Sequence, residues 1–414
     1  MKGTCGRFLL LALFLLPSVE AGAFAHWQAG EVLVDLRGFS GFGAAWNSNP
    51  GDTSWYDSQD DRLWNVEQRL LLTADYMENS RLEANVLEQI HNLSGPVFSG
   101  SSAPQAGAER SGILSWQQHE SGNSRAELSV DALAIHHTAG QAELSVGRQP
   151  VNLATTFYYS PNDFFAPFAA QTFFRAYKPG VDAARAEVRL GPLAQLSLVG
   201  VLGYSPESTA DAHWRNRPDW SRNSLLARFA CGLEEYEWAV LGGSVREHRI
   251  AGGSFAGEFF NWLGVRAEGH YAAPERDGGK SGAELSLGLE HRFASSLSLR
   301  AEYFSHGQGY RSSEAVSEAI SSGNLKEGYT GRQYSALGAG YEFSPLLTGQ
   351  ALFLKNWSDH SQLVSINGVY SLSDEAELSC TLSLPMGKTP ELERVQSEYG
   401  LLPKTITLEF RVYY

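Results

Sequence analysis

The adjacent histidines His136 and His137 are the residues of this chain that most invite a metal ion. They lie in a stretch, 124–137, where polar and apolar residues alternate as in a β-strand. Neighbouring strand residues point to opposite faces, so one ion cannot take both rings. His119, His213, His248, His270, His306 and His360 are scattered without ligand spacing. No metal and no cofactor is expected. Catalytic residues are likewise expected to be none, because no short motif joins a nucleophile to a base. Cys231 and Cys380 fall on apolar faces beside Phe229 and Leu382, and with Cys5 they are too few for a thiolate site.

The charged residues are more informative. Alternation places Asp35, Arg37, Glu67, Arg69, Arg81, Glu83, Glu127, Asp131, Arg185, Glu187, Arg189, Arg266, Glu268, Arg300 and Glu302 on the faces opposite the apolar rows. Both signs occur close together, as in Arg185-Ala186-Glu187. Facing rows of opposite charge can set up a transverse field across a water-filled passage. Pairing of these charges with one another is the simpler alternative for any single residue. Asp163, Arg175 and Lys178 stand in a different setting. They interrupt Asn152–Gly180, which holds nine aromatic residues, Phe157, Tyr158, Tyr159, Phe164, Phe165, Phe168, Phe173, Phe174 and Tyr177. So much apolar surface gains nothing in a loop left in water.

The elements that position these residues are long amphipathic strands. Trp64, Val66, Gln68, Leu70, Leu72, Ala74 and Tyr76 share one face against Asn65, Glu67, Arg69, Leu71, Thr73 and Asp75. Ala283–Phe293 and Ala376–Leu384 alternate in the same way. Runs of about 10 to 13 residues suit a tilted membrane strand, whereas strands of soluble sandwiches average about 5 to 6. Aromatics at segment ends, Tyr76, Tyr204, Tyr271, Tyr303 and Tyr341, suit interfacial girdles. The fold expected is all-β, a transmembrane antiparallel barrel.

Composition agrees. Of 414 residues only 19% are charged, below the roughly 25% of soluble domains, and 12% are aromatic. The net charge of −14 gives no nucleic-acid footprint. Lys2 and Arg7, the apolar run Phe8–Leu16 and Ala23-Phe24-Ala25 form a secretion signal, with cleavage expected after Ala25, or after Ala23 as second choice. The chain thus divides into a signal peptide, 1–25, and a barrel, 26–414.

Turn residues separate eighteen strands: 30–40, 62–77, 80–92, 124–137, 140–151, 181–190, 194–204, 223–232, 236–247, 249–257, 260–271, 282–293, 296–305, 333–343, 346–356, 361–372, 375–385 and 403–414. The pair around His248 carries the weakest turn signal, and without it sixteen strands remain. Tight turns at Glu78-Asn79, Thr138-Ala139, Gly191-Pro192, Ala294-Ser295 and Ser344-Pro345 fall on one side, the periplasmic. The stretches 41–61, 93–123, 152–180, 205–222, 306–332 and 386–402 form long extracellular loops on the other. A barrel of this size is too wide for its own side chains to fill. The aromatic loop 152–180 is therefore expected to fold into the lumen and line a constriction. Asp163, Arg175 and Lys178 would border the opening, with Arg185, Glu187, Arg37, Arg69, Glu127 and Asp131 on the wall. Arg148, on the lipid-facing row of Leu144 and Val146, would snorkel at the rim or be turned inward by Pro150 and a bulge. With Gln149 and Asp182 it would anchor the loop.

Two resemblances add to this. The last strand, Lys404–Tyr414, alternates and ends on an aromatic, and so resembles the C-terminal signal of bacterial outer-membrane proteins. The string Gly147-Arg148-Gln149-Pro150, Ser160-Pro161-Asn162-Asp163-Phe164-Phe165 and Pro179-Gly180-Val181-Asp182-Ala183 resembles a poorly characterised group of Gram-negative outer-membrane barrels over roughly residues 144–190. Asn152–Thr156 lacks the Trp-Gly that often follows Gly-Arg-Gln there. The resemblance implies a porin-like barrel in the cell outer membrane and no established substrate. The position of 152–180, between strands five and six, also matches the constriction loop of general porins.

The leading function is diffusion of small hydrophilic solutes or ions. The alternatives are a scaffold sheathing a partner, such as a periplasmic cytochrome or an exported polysaccharide, and a surface adhesin or receptor. No Cys-x-x-Cys-His haem site occurs. Partners expected are outer-membrane lipid, lipopolysaccharide and small solutes, with self-association left open.

Overall fold

The alternating segments close into a ring. The computed structural model describes residues 25–51, 56, 60–92, 109–121, 124–206, 216–233, 235–276, 280–321, 329–391 and 394–414. The signal segment, apart from Ala25, lies outside the described residues. The wall strands are β1 (Val32–Ser48), β2 (Asp60–Tyr76), β3 (Ser80–Asn92), β4 (Ser124–Ala139), β5 (Ala142–Gln149) and β6 (Val181–Arg189). They continue as β7 (Ala194–Val201), β8 (Ser224–Leu233), β9 (Tyr236–Val245), β10 (His248–Phe259), β11 (Leu263–Pro274) and β12 (Gly282–Arg292). The last six are β13 (Ser298–His306), β14 (Gln333–Ser344), β15 (Leu347–Asn356), β16 (Gln362–Ser371), β17 (Ala376–Met386) and β18 (Lys404–Tyr413). Each pairs antiparallel with the next, and β18 pairs with β1, from Phe39↔Tyr413 to Ser48↔Lys404. This is a closed eighteen-stranded barrel, so the pair around His248 is present and the count is eighteen, not sixteen. The turn between β9 and β10 consists of Arg246 and Glu247, at φ 45° and 70°. These are not the Asn or Gly that such a turn favours, hence its weak signal in the sequence.

Some boundaries differ from expectation. β1 runs on to Ser48 because β2 and β18 both reach far enough to pair with it. The turn after β4 is Gly140-Gln141 rather than Thr138-Ala139, with Gly140 supplying φ 63°. The stretch 93–123 is not all loop. Ser115–Ser121 forms a strand on the upper part of β4, extending the wall above the end of β5. Helix α1 (Ser313–Ser321) lies within the expected loop 306–332.

Ala25–Ala29 forms a short strand on the lower edge of β1, Ala25 facing Leu36 and Ala29 facing Val32. The upper part of that same edge carries β18, whose last pairing is a reciprocal backbone hydrogen bond between Gly38 and Tyr414.

The alternation sorts the two faces. On β12, Leu285, Leu287 and Leu289 are exposed outward while Ser286 between them is fully buried inward. Phe42, Trp46, Ile135, Leu198, Val240, Leu337, Ile366 and Phe410 continue the outward apolar band. Cys380 is exposed on that face and Cys231 is half-buried, both free. Inside, one apolar cluster joins Val181, Val199, Leu226, Leu241 and Ile250 to Val151 and Phe165. A second joins Phe304, Tyr334, Leu352 and Leu363 to Tyr159 and Tyr399. In both, the wall is covered by inserted loop. No helix among the described residues is long and apolar enough to cross a membrane, which says nothing of strands.

Candidate functional site

The segment between β5 and β6 leaves the wall at Pro150 and rejoins it at Gly180, whose amide donates to the Asp131 carbonyl at 3.1 Å. Between these points it crosses the lumen. At one wall, two inward carboxylates hold its backbone. Glu268 on β11 accepts from the amides of Thr155, Thr156 (3.1 Å) and Asn162 (3.2 Å). Glu302 on β13 accepts from Phe157 (2.7 Å), Tyr158 (3.1 Å) and Tyr159 (2.6 Å). Six amides that have no ladder partner are thus satisfied by two buried acids, 1% and 3% exposed. A buried charge is tolerable only with such a donor set. Gly288 between them has no side chain because a Cβ there would lie 2.9 Å from the Phe157 ring.

Four arginines of the wall stack on loop aromatics. Arg266 and Arg300 lie 4.6 and 4.9 Å from the Phe157 centroid. On the far side of the ring of strands, Arg69 of β2 sits over Tyr177 at 4.8 Å and Arg411 of β18 over Phe174 at 4.0 Å. Phe39 of β1 stacks on Tyr177, centroids 5.4 Å apart. In an eighteen-membered ring β2 is nine strands from β11, diametrically opposite. The loop therefore bridges the lumen from wall to wall and divides it.

The loop's own charges are spent inside it. Asp163 and Lys178 form an ion pair with side chains only 5% and 7% exposed. Burial pushes the Asp163 carboxyl up and the Lys178 amine down, and each partner opposes the other's shift. Arg175 donates to the carbonyls of Thr172 (2.8 Å), Phe157 (2.6 Å), Ala170 (3.1 Å) and Ala169 (3.3 Å). The expectation that these three border the opening is corrected. A loop in a lumen must satisfy its own carbonyls, and Arg175 does so.

The wall charges are networked. Arg69 donates to Asp131 at 2.8 Å and to Asn85 at 3.1 Å, and lies 3.4 Å from Glu67. Asp131 is the extra residue of a β-bulge, for Asn85 faces Ala132 and Val86 faces Val130. It also accepts from Arg110 at 2.8 Å. Arg411 pairs with Glu377 at 2.8 Å and with Glu409. Arg185 pairs with Glu187, which also accepts from Ser197. Glu127 is half-buried and Arg37 exposed.

Arg148 keeps the outward row. It faces Leu133 and Asp182 across the ladders, and its side chain is fully buried. Neither a rim position nor an inward turn accounts for this. The segment around Ser111 covers it, the guanidinium bonding Asp182 (2.7 Å), the Ser111 carbonyl (2.7 Å) and the Val130 carbonyl (3.0 Å). Arg148 and Asp182 thus join the two ends of the inward loop, while Gln149 faces inward to Ser145 and the Ala183 carbonyl. His136 faces inward, 3.6 Å from Glu83, and His137 bonds Ser80.

A second insertion was not foreseen. Tyr399–Leu401 is buried in the lumen, and Glu398 accepts from Tyr334 (2.6 Å), Asn356 (2.9 Å) and Thr330. Tyr159, Tyr329, Tyr334 and Phe304 pack together beside it, with centroids 5.0–6.1 Å apart. The signal available was the apolar run Tyr399-Gly400-Leu401-Leu402 inside a supposed solvent loop. The two retaining acids, Glu268 and Glu302, were placed inward by parity, but nothing in their spacing marks them as amide acceptors.

No protein-family model matches the chain, and no curated protein matches it. Solved structures do match in fold. OccAB3 of Acinetobacter baumannii has a TM-score of 0.56 at 11% identity, covering 92% of this chain and 99% of that one. OccAB4 of the same organism gives 0.54 at 11%, covering 94% and 98%. OccD3 (OpdP) of Pseudomonas aeruginosa gives 0.53 at 10%, covering 91% of each.

Proposed function

We propose that this protein is an outer-membrane channel that lets small hydrophilic solutes or ions diffuse through a lumen narrowed by the loop 150–180. The observation that carries this reading is the closed barrel with an apolar outer band and a charged interior, bridged by one pinned loop. A barrel of this strand number encloses water unless plugged. The half-buried charges beside the bridge, Glu67 with Arg69 and Glu377 and Glu409 with Arg411 on one wall, and Arg300 with Glu290 on the other, line the passage with paired charges of both signs. Such a passage favours hydrated polar solutes over apolar ones. The likeness to the Occ structures supports the fold on which this rests. The secretion signal and terminal aromatic strand support the location, and the mature protein begins after the signal is removed.

The test is planar-bilayer recording on the purified protein. Discrete conductance steps with a measurable ion selectivity are expected. A correctly folded barrel with no conductance would overturn the channel reading in favour of a sheath around a partner.

A further inference from the structure

The outer wall carries a recess that the channel reading does not use. It lies across the upper ends of β5 to β9, has a volume of about 750 Å³, and is lined mainly by apolar atoms. That volume is within the range of ordinary ligand sites. One horizontal row of outward residues builds its floor, since Val146 faces Ala184, Ala184 faces Gly200, Gly200 faces Leu225 and Leu225 faces Ser244. Small residues also occur elsewhere in the outward band, as at Gly253, Gly269 and Ala351. Here three of the five positions are Ala, Gly and Ser, and the surface is hollow. Leu133, Val146 and Leu225 wall the hollow and are themselves exposed.

Above the floor the chemistry changes. The buried Arg148–Asp182 pair, Tyr204 bonded to Asp182 at 2.9 Å, and Asn223 form a polar upper end. Asn223 follows the short helical turn Trp220–Arg222, which packs on Gly203. At this rim Trp220 is 79% exposed, and the Arg222 side chain is 47% exposed with Asp219 3.8 Å away. The recess is thus apolar below and polar above, with the Arg222–Asp219 pair beside its rim.

The height of the wall says what covers it. β5, β6 and β7 have only eight, nine and eight residues. A tilted strand needs about 9–11 to cross the hydrocarbon. The leaflet on the long-loop side therefore reaches to the ends of these strands, where the recess lies. In that setting the hollow would open into acyl chains, with Trp220 and Arg222 at the height of the headgroups.

We propose that the recess is a binding site for an acylated, phosphorylated glycolipid of the outer leaflet, the lipid A portion of lipopolysaccharide. One acyl chain would lie along Ala184 and Gly200 between Leu133 and Leu225. A sugar would rest on the exposed Trp220 face, with a phosphate toward Arg222, the contact expected of basic groups at a membrane surface. This inference rests on the outer-membrane reading above.

The test is native mass spectrometry of the full mature chain extracted in mild detergent and offered purified lipid A or phosphatidylglycerol. Wild type should retain one lipid A per barrel. Ala184→Phe with Gly200→Phe, which fills the floor, should lower its occupancy at least tenfold. Ala351→Phe, on the outward face of β15, should leave it unchanged. Arg222→Gln leaves the floor intact. It should weaken diphosphorylated lipid A several-fold more than the dephosphorylated form, and it serves if the filled variant fails to fold. Equal retention in wild type and both recess variants would overturn the site. Equal retention of phosphatidylglycerol would overturn the glycolipid assignment. Oligomers that the floor substitutions dissociate would mean that a second copy covers the recess instead. Single-channel conductance should be the same in all variants, so loss of lipid binding with intact conductance leaves the channel reading untouched. Absence of the protein from the outer-membrane fraction would instead remove that reading.

Discussion

Glu302 and Asp163 are both buried carboxylates, and they do opposite kinds of work. Glu302 accepts three backbone amides and holds the loop to β13. A hydrogen bond to a charged group is worth about 1.5–3 kcal/mol, and the amides left behind would lack acceptors. Glu302→Ala should therefore free the segment around Phe157, raising single-channel conductance and current noise while the barrel stays folded. Unchanged conductance would mean that the arginine stacks alone hold the loop. Asp163 instead neutralises Lys178, so its removal strands a buried ammonium. Asp163→Asn should lower stability by on the order of 3 kcal/mol, read as a lower unfolding midpoint in heat-modifiability gels. Ion selectivity should stay as it was, because that charge faces its partner and not the passage. A selectivity change without a stability change would contradict this. Parity could place Glu302 inward, because alternation is a property of one strand. It could not reveal the partners, which lie about 145 residues away in a loop with no period.

At the scale of elements, the strands are legible and the loops only in part. All eighteen segments with their pairing order follow from alternation and turn residues, since an apolar outer face and a polar lumen impose opposite chemistry on successive residues. Where the wall departs from that rule, the sequence is silent. The bulge at Asp131 and the wall segment Ser115–Ser121 depend on contacts with neighbouring strands. The inward course of Asn152–Gly180 was foreseen from its aromatics. The similar course of Tyr399–Leu401 was not, because three apolar residues are too few to stand out in a long loop. Replacing 157–177 by a short Gly/Ser linker should raise conductance, since it removes a bridge that meets both walls. A folded deletion variant of unaltered conductance would place the narrowest section elsewhere, with the Tyr399 insertion the next to test.

For the whole molecule, closure depends on β1. Gly38 exchanges backbone hydrogen bonds with Tyr414, and Phe39 packs 5.7 Å from the Tyr413 ring. Deleting Tyr413 and Tyr414 should impair assembly, seen as loss of the heat-modifiable form from the outer-membrane fraction. Normal insertion would show that closure tolerates a shorter last strand. Along the same edge of β1 the partners run 404 to 414 and then 25 to 29, in one direction, with only the position opposite Arg37 between them. Geometrically these are two pieces of a single strand, and the polypeptide is one short splice from a covalent hoop. Joining Tyr414 to His26, the first residue left by the expected cleavage, through two or three residues, and opening the chain at the Phe260-Asn261 turn, should give a circular permutant that rebuilds the same wall. In such a ring, where the gene starts reading becomes a matter of export and not of architecture.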